Sequence, residues 1–263
     1  MSIKYRYILL FVMGLFAILL VLSFSTFQLT TYQSLRDISS NIAEIPSQKA
    51  YLDGQYKDMR TFFSENKGEF YTYYFESLPV SISKSQVTGL TEQETIDLVL
   101  DSFTAKLYHV KYGGITAKIS EYAGSGSNGL YLVITIILFI AFVSSTIFTL
   151  HPGWKKNSTE LLRSTGKTLA VMCLVSMIVF VLAPGIVKTM IWQYIPSTGN
   201  ARDILEIVES RVTATLFFNN LIMVILGALI YASGAYLEKR KEKTPVGTVE
   251  TSRPAESKLR RSL

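Results

Sequence analysis

The sequence predicts an all-α integral membrane protein, with four transmembrane helices and a mainly helical extracytoplasmic domain between spans one and two. Three observations carry this reading. Only 17% of the 263 residues are charged, below the roughly 25% of an ordinary soluble protein. Mean hydropathy is positive at +0.29. Four stretches are long and apolar enough to cross a hydrocarbon core of about 30 Å, which takes around 20 helical residues. Inside lipid the backbone must satisfy its own hydrogen bonds, so each stretch is read as a helix.

Residues 1–29 comprise a short basic leader, Lys4 and Arg6, and a first span from Ile8 to Leu29. Its apolar run exceeds the 7 to 15 residues usual for a signal peptide and no A-x-A site follows, so an uncleaved anchor is expected. Residues 30–128 form the extracytoplasmic domain. Leu29, Tyr32, Leu35, Ile38, Ile42 and Ile45 recur at helical spacing, which predicts that the first membrane helix runs on outward as far as Pro46. Leu52, Tyr56, Met59 and Phe63 predict a second helix ending near Gly68. The capping box Thr91-x-x-Glu94 opens a third, carrying Ile96, Leu100, Phe103, Leu107 and Val110 and stopping at Gly113-Gly114. Ile115, Ile119 and Tyr122 suggest a further turn or two, and Gly124 to Gly129 a flexible joint.

Between the second and third helices lies an aromatic run, Phe70, Tyr71, Tyr73, Tyr74 and Phe75, followed by strand-like alternation over Pro79 to Ser83. These aromatics read either as the packing of a small core or as a partner surface, since Tyr and Phe are enriched in interface cores.

The second span occupies 129–150, and 151–167 is read as a cytoplasmic loop. The third span, 168–192, contains Pro184-Gly185, a candidate hinge because proline removes a backbone hydrogen bond. Residues 193–211 form a short loop and a helix, capped by Asn200 or a nearby Ser or Thr. That helix is expected to run unbroken into the fourth span, 212–237, making a second stalk beside the first. Residues 238–263 form a basic tail, which hugs lipid headgroups at first and is disordered beyond Pro245.

Charge sets the orientation. Segments 1–6, 151–167 and 237–263 carry net charges of +2, +3 and +4, whereas 30–128 and 193–211 carry −3 and −1. The positive-inside rule then puts both termini in the cytoplasm of a multi-pass plasma-membrane protein. The formal charge of +6 is thereby assigned to membrane orientation and not to nucleic acid.

Chemistry is sparse. Cys173 is the single cysteine, so an intrachain disulfide framework is excluded, and two histidines make a Cys/His metal cluster a poor expectation. The spans contain no Asp, Glu, His or Arg, which argues against a proton-driven pump. Lys188 is expected to snorkel to headgroups. Ser164-Thr165-Gly166-Lys167-Thr168 ends like a P-loop, but its first glycine position is Leu161. No cofactor and no catalytic residue are expected.

The polar candidates are Asn219, Asn220, Ser144, Ser145 and Ser176, either as interhelical hydrogen-bonding groups or as the lining of a pore. Gly227, Ala228, Ala232 and Gly234 form a small-residue stripe suited to close helix packing, within the chain or between copies. The expected function is that of a non-catalytic accessory, scaffold or sensing subunit, acting through its extracytoplasmic domain and through oligomeric or membrane-protein partners. A homo-oligomeric channel is the alternative.

Overall fold

The computed structural model describes residues 3–75, 78–109, 122–150, 154–192 and 200–243. Four of its helices are long and apolar enough to cross a membrane: α1 (Ile3–Leu29), α6 (Ser125–Leu150), α7 (Trp154–Trp192) and α8 (Ala201–Lys243). They form one bundle. In it α8 packs most extensively on α7, α6 lies chiefly against α1, and α1 touches all three others. The inserted domain contributes α2 (Tyr32–Ala43), α3 (Pro46–Ser64), β1 (Phe70–Phe75), β2 (Leu78–Ser83), α4 (Lys84–Val87) and α5 (Glu92–His109).

The fold is therefore not all-α. β1 and β2 pair antiparallel, Tyr73 opposite Val80 and Tyr71 opposite Ile82. The run Phe-Tyr-Thr-Tyr-Tyr-Phe consists of aromatic and β-branched residues that suit a pleated, half-buried surface. Its period-2 alternation sends Tyr73 and Phe75 inward, where they join Val80 and Ile82 against Leu52, Met59 and Phe63 of α3 and Val99, Leu100 and Phe103 of α5. Phe75 meets Phe103 edge-on, with ring centroids 4.7 Å apart.

A two-stranded sheet has two open edges, and side chains occupy both. The buried amide of Gln55 bonds Tyr74 twice, Nε2 donating to its carbonyl and Oε1 accepting from its N–H, each at 2.8 Å. Lys106 Nζ donates to the Pro79 carbonyl at 2.8 Å on the other side. Both contacts blunt the edges as pairing templates.

Other boundaries also differ from the sequence expectation. The first long apolar helix does not continue to Pro46 but stops at Leu29. Thr31 adopts extended backbone angles and its hydroxyl accepts the Ser34 N–H, an N-cap that starts α2 afresh. The Gly124–Gly129 stretch is no loose joint, since α6 begins at Ser125. Asn128 Nδ2 donates to the Phe27 carbonyl at 2.9 Å and to Thr30 Oγ1 at 3.0 Å, closing the frayed end of α1. Most of the expected 151–167 loop is helical, because α7 opens at Trp154, and the tail is helical as far as Lys243.

The expected helix over Leu52 to Phe63 forms with Pro46 at its first turn, where proline's missing N–H is harmless. The Thr91/Glu94 capping box forms as well, Glu94 Oε2 accepting the Thr91 N–H at 2.8 Å. The Gly113-Gly114 stop, the turn at Ile115 and Ile119, and the tail beyond Pro245 lie outside the described residues.

Candidate functional site

Two seams organise this region, one inside the inserted domain and one between it and the bundle. The first joins α2 to α5 within the domain. Arg36, its side chain 15% exposed, is held by Asp101, by Asp97 at 3.3 Å and by Ser40, while the Tyr32 hydroxyl donates to the Asp101 carbonyl at 3.2 Å. Burial alone would depress the Arg36 pKa; the bonds and charges of Asp101 and then Asp97 outweigh it, and the pKa rises.

The second seam joins α2 to α8. Arg211 reaches Asp37 at 2.8 Å, and the Ser47 hydroxyl at the start of α3 donates to Asn200 Oδ1 at the start of α8. These contacts lie about three turns apart along α8, so its first turns run alongside α2 and the start of α3. Lys188, at the far end of α7, has carboxylate partners. It pairs with Glu206 at 2.8 Å and Glu209 at 3.4 Å, tying the end of α7 to the same stretch of α8.

Within the bundle, Asn219 is buried and donates to Ser25 Oγ at 2.8 Å and Gln28 Oε1 at 2.7 Å, joining α8 to α1. Asn220 is fully buried. Its Nδ2 donates to the Leu216 carbonyl at 2.8 Å, and its Oδ1 has no partner among the described residues. Ser176 is also buried with an unpartnered hydroxyl, whereas Ser145 bonds back to the Phe142 carbonyl at 2.8 Å. Ser144 is half-buried on α6 beside it. The Thr165 hydroxyl on α7 is buried without a partner as well. A buried polar atom without a partner costs about 1–3 kcal/mol, so Asn220, Ser176 and Thr165 need explaining.

The small-residue stripe divides in two. Gly227 and Gly234 face α7: a Cβ on Gly227 would stand 2.6 Å from the Ala170 nitrogen, and one on Gly234 2.9 Å from that of Arg163. Ala228 and Ala232 are exposed on the other side of α8 and take no part in this seam. The tightest point is Gly166, where a Cβ would lie 2.4 Å from the Tyr231 nitrogen and 2.5 Å from the Gly227 carbonyl oxygen. Sequence reasoning met Gly166 only as part of a failed P-loop. Its seven-residue spacing to Cys173, another small and buried residue, was the signal available. Helix α7 runs on through Pro184-Gly185 to Trp192, and a Cβ on Gly185 would meet nothing within 4 Å.

Of the aromatic run, Tyr73 and Phe75 are core and Tyr71 is half-buried. Phe70 and Tyr74 stand outward, 64% and 50% exposed, beside exposed Pro79. A groove of about 350 Å³ crosses the bundle between α1, α6 and α8, walled by Leu20, Phe24, Ile136, Phe139 and Met223, with Asn219 among its lining. Among the described residues no three His, Cys, Asp or Glu side chains converge to hold a metal. No family model, no curated protein and no solved structure matches this chain.

Proposed function

We propose that the chain is a non-catalytic, four-span subunit of the plasma membrane, an accessory, scaffold or sensing component with both termini in the cytoplasm. In this reading the inserted domain lies outside the cell, meets a partner or ligand there, and passes its state to the bundle. The observation that carries it is the second seam, Asp37 to Arg211 with Ser47 to Asn200. It fastens a domain of its own core to the continuous 43-residue helix α8. Contiguous rigid elements of this kind can bias one end of a molecule from the other. The outward Phe70, Tyr74 and Pro79 supply an apolar face for the partner.

Native mass spectrometry of the gently solubilised particle, with co-purifying chains identified, tests the proposal. A defined association with a different membrane protein supports an accessory subunit. A closed ring of identical chains that conducts ions in planar bilayers overturns it in favour of a channel.

Asn219→Leu separates the same two readings. Its bonds to Ser25 and Gln28 make it interhelical glue, so the variant is expected to lose about 0.6–1.7 kcal/mol of bundle stability, read by unfolding in detergent. A change in conductance with unaltered stability would instead favour the pore.

A further inference from the structure

The unpartnered atoms of Asn220 and Ser176 belong to one place. Gly234 of α8 lies on the Thr159–Arg163 turn of α7, and Gly227, seven residues earlier, on the Gly166–Ala170 turn. One more heptad step brings Asn220 to the Cys173–Met177 turn, the turn that carries Ser176. From the third side, Gly14 of α1 lies against Met172, so Ala17, one turn further on, comes level with the same spot. Ala17, Cys173 and Asn220 are all fully buried there.

Several hydroxyls in these helices bond back to their own backbone. Thr135, Thr146, Thr149 and Ser233 each donate to the carbonyl four residues earlier. Ser176 does not, and its hydroxyl is left for something other than the Met172 carbonyl. The Asn220 amide cannot be turned over to help, because its Nδ2 is fixed on the Leu216 carbonyl.

We propose that a single water molecule is bound between α1, α7 and α8 at this level, bridging Ser176 Oγ and Asn220 Oδ1. It accepts the Ser176 hydroxyl proton and donates one of its own to Asn220 Oδ1. Its second proton is left for the Met172 carbonyl that Ser176 does not use. Such a water then makes the three hydrogen bonds typical of a buried one. Three neutral oxygens are too few for a calcium or magnesium ion, which takes six or more.

The α7–α8 interface thus has two characters. It is dry and backbone-tight at Gly166 and Gly227, and hydrated one heptad further along, on the side nearer the inserted domain.

Water-selective NMR of the full-length chain in lipid nanodiscs tests the site at the Asn220 side-chain amide, identified by its loss in Asn220→Leu. The expected result is a cross-peak to water whose intensity does not change with pH. It should weaken several-fold in Ser176→Ala, which removes one anchor, and vanish in Ser176→Val, which also fills the space. If one variant fails to fold, the other decides.

No cross-peak in the native chain would mean a dry, direct contact and overturn the proposal. A cross-peak that grows with pH would mean exchange with bulk solvent, and one untouched by either variant would place the water elsewhere. Either result overturns it as well.

Discussion

The inserted domain and the helix bundle bury different mixtures of residue. In the domain the fully buried side chains are mostly large and apolar, Tyr73, Phe75, Leu52, Met59, Val80 and Ile82, with Thr95 and Thr104 among them. In the bundle Leu10, Met13 and Leu169 make a small apolar cluster, and the rest of the interior is largely small or polar: Ala17, Ser25, Cys173, Ser176, Asn220, Gly166 and Gly227. Its outer face carries large apolar groups, with Phe139 55%, Leu182 59% and Phe148 67% exposed. The hydrophobic effect orders the first region, removing apolar surface from water. It cannot order the second if lipid surrounds it, because a tail is as apolar as leucine; close backbone contact and interhelical hydrogen bonds take its place. The same residue type therefore means different things in the two halves of one chain.

The largest expected effect sharpens this contrast within the domain. Phe75→Ala removes a ring from the centre of the hairpin core and is expected to cost about 3–5 kcal/mol of domain stability. Tyr74→Ala, one residue away on the solvent face, should stay within about 0.5 kcal/mol. Thermal unfolding followed at the domain's tyrosines measures both. An equal loss in the two variants would break the two-faced description of β1.

Alkaline pH should separate the halves next. Burial holds the Tyr73 hydroxyl well above the ordinary tyrosine value of about 10, and Tyr71, Tyr56 and Glu92 add to the shift. An unfolded chain would ionise there while the native one keeps its proton. Stability from this group is therefore full below about pH 10 and falls as pH climbs above it. The domain is expected to unfold in an alkaline titration before the bundle does. Tyr73→Phe should delay that unfolding.

In the bundle, Gly166→Val forces a side chain into the backbone at Tyr231 and Gly227. Overpacking of this kind is expected to cost about 1–3 kcal/mol or more, read by unfolding in detergent. Ala228→Leu adds the same three carbons on the exposed side of α8 and should change stability by no more than about 0.5 kcal/mol. The reverse order would mean that the α7–α8 seam is not where the chain is held. Smallest is the exposed pair at the junction of the two halves. A double-mutant cycle on Asp37→Asn and Arg211→Gln should give a coupling of about 0.2–1 kcal/mol, weakened by salt.

These differences also explain what could be read from the sequence. The four long apolar helices were legible because length and composition decide them, and α5 was legible because Thr91 and Glu94 mark its start chemically. The hairpin was half legible. Alternation showed at Pro79–Ser83, but the aromatic run, broken only at Thr72, hides its period of two, since both faces of β1 carry aromatics. The break at Thr30-Thr31 was hidden because the apolar spacing persists across it. Only the Thr31 side chain and the distant Asn128 reveal it, and that partnership spans nearly a hundred residues of chain.

Asn219 was legible as a polar group of interest, but its partners Ser25 and Gln28 lie in another span. Gly166 was invisible because a lone glycine in a basic, serine-rich stretch reads as a loop. Charge pattern alone assigned 151–167 to a loop, whereas charge sets sidedness without setting secondary structure.

The central claim is that the domain and α8 are mechanically joined. Hydrogen exchange of the full-length chain in lipid nanodiscs tests it most directly, comparing the native protein with Phe75→Ala under conditions that loosen only the domain. The account predicts faster exchange both in α3, β1 and α5 and in the first turns of α8, from Ala201 to Thr215, while the Gly166–Gly227 seam stays protected. Faster exchange in the domain with α8 unchanged from Ala201 onward would contradict it.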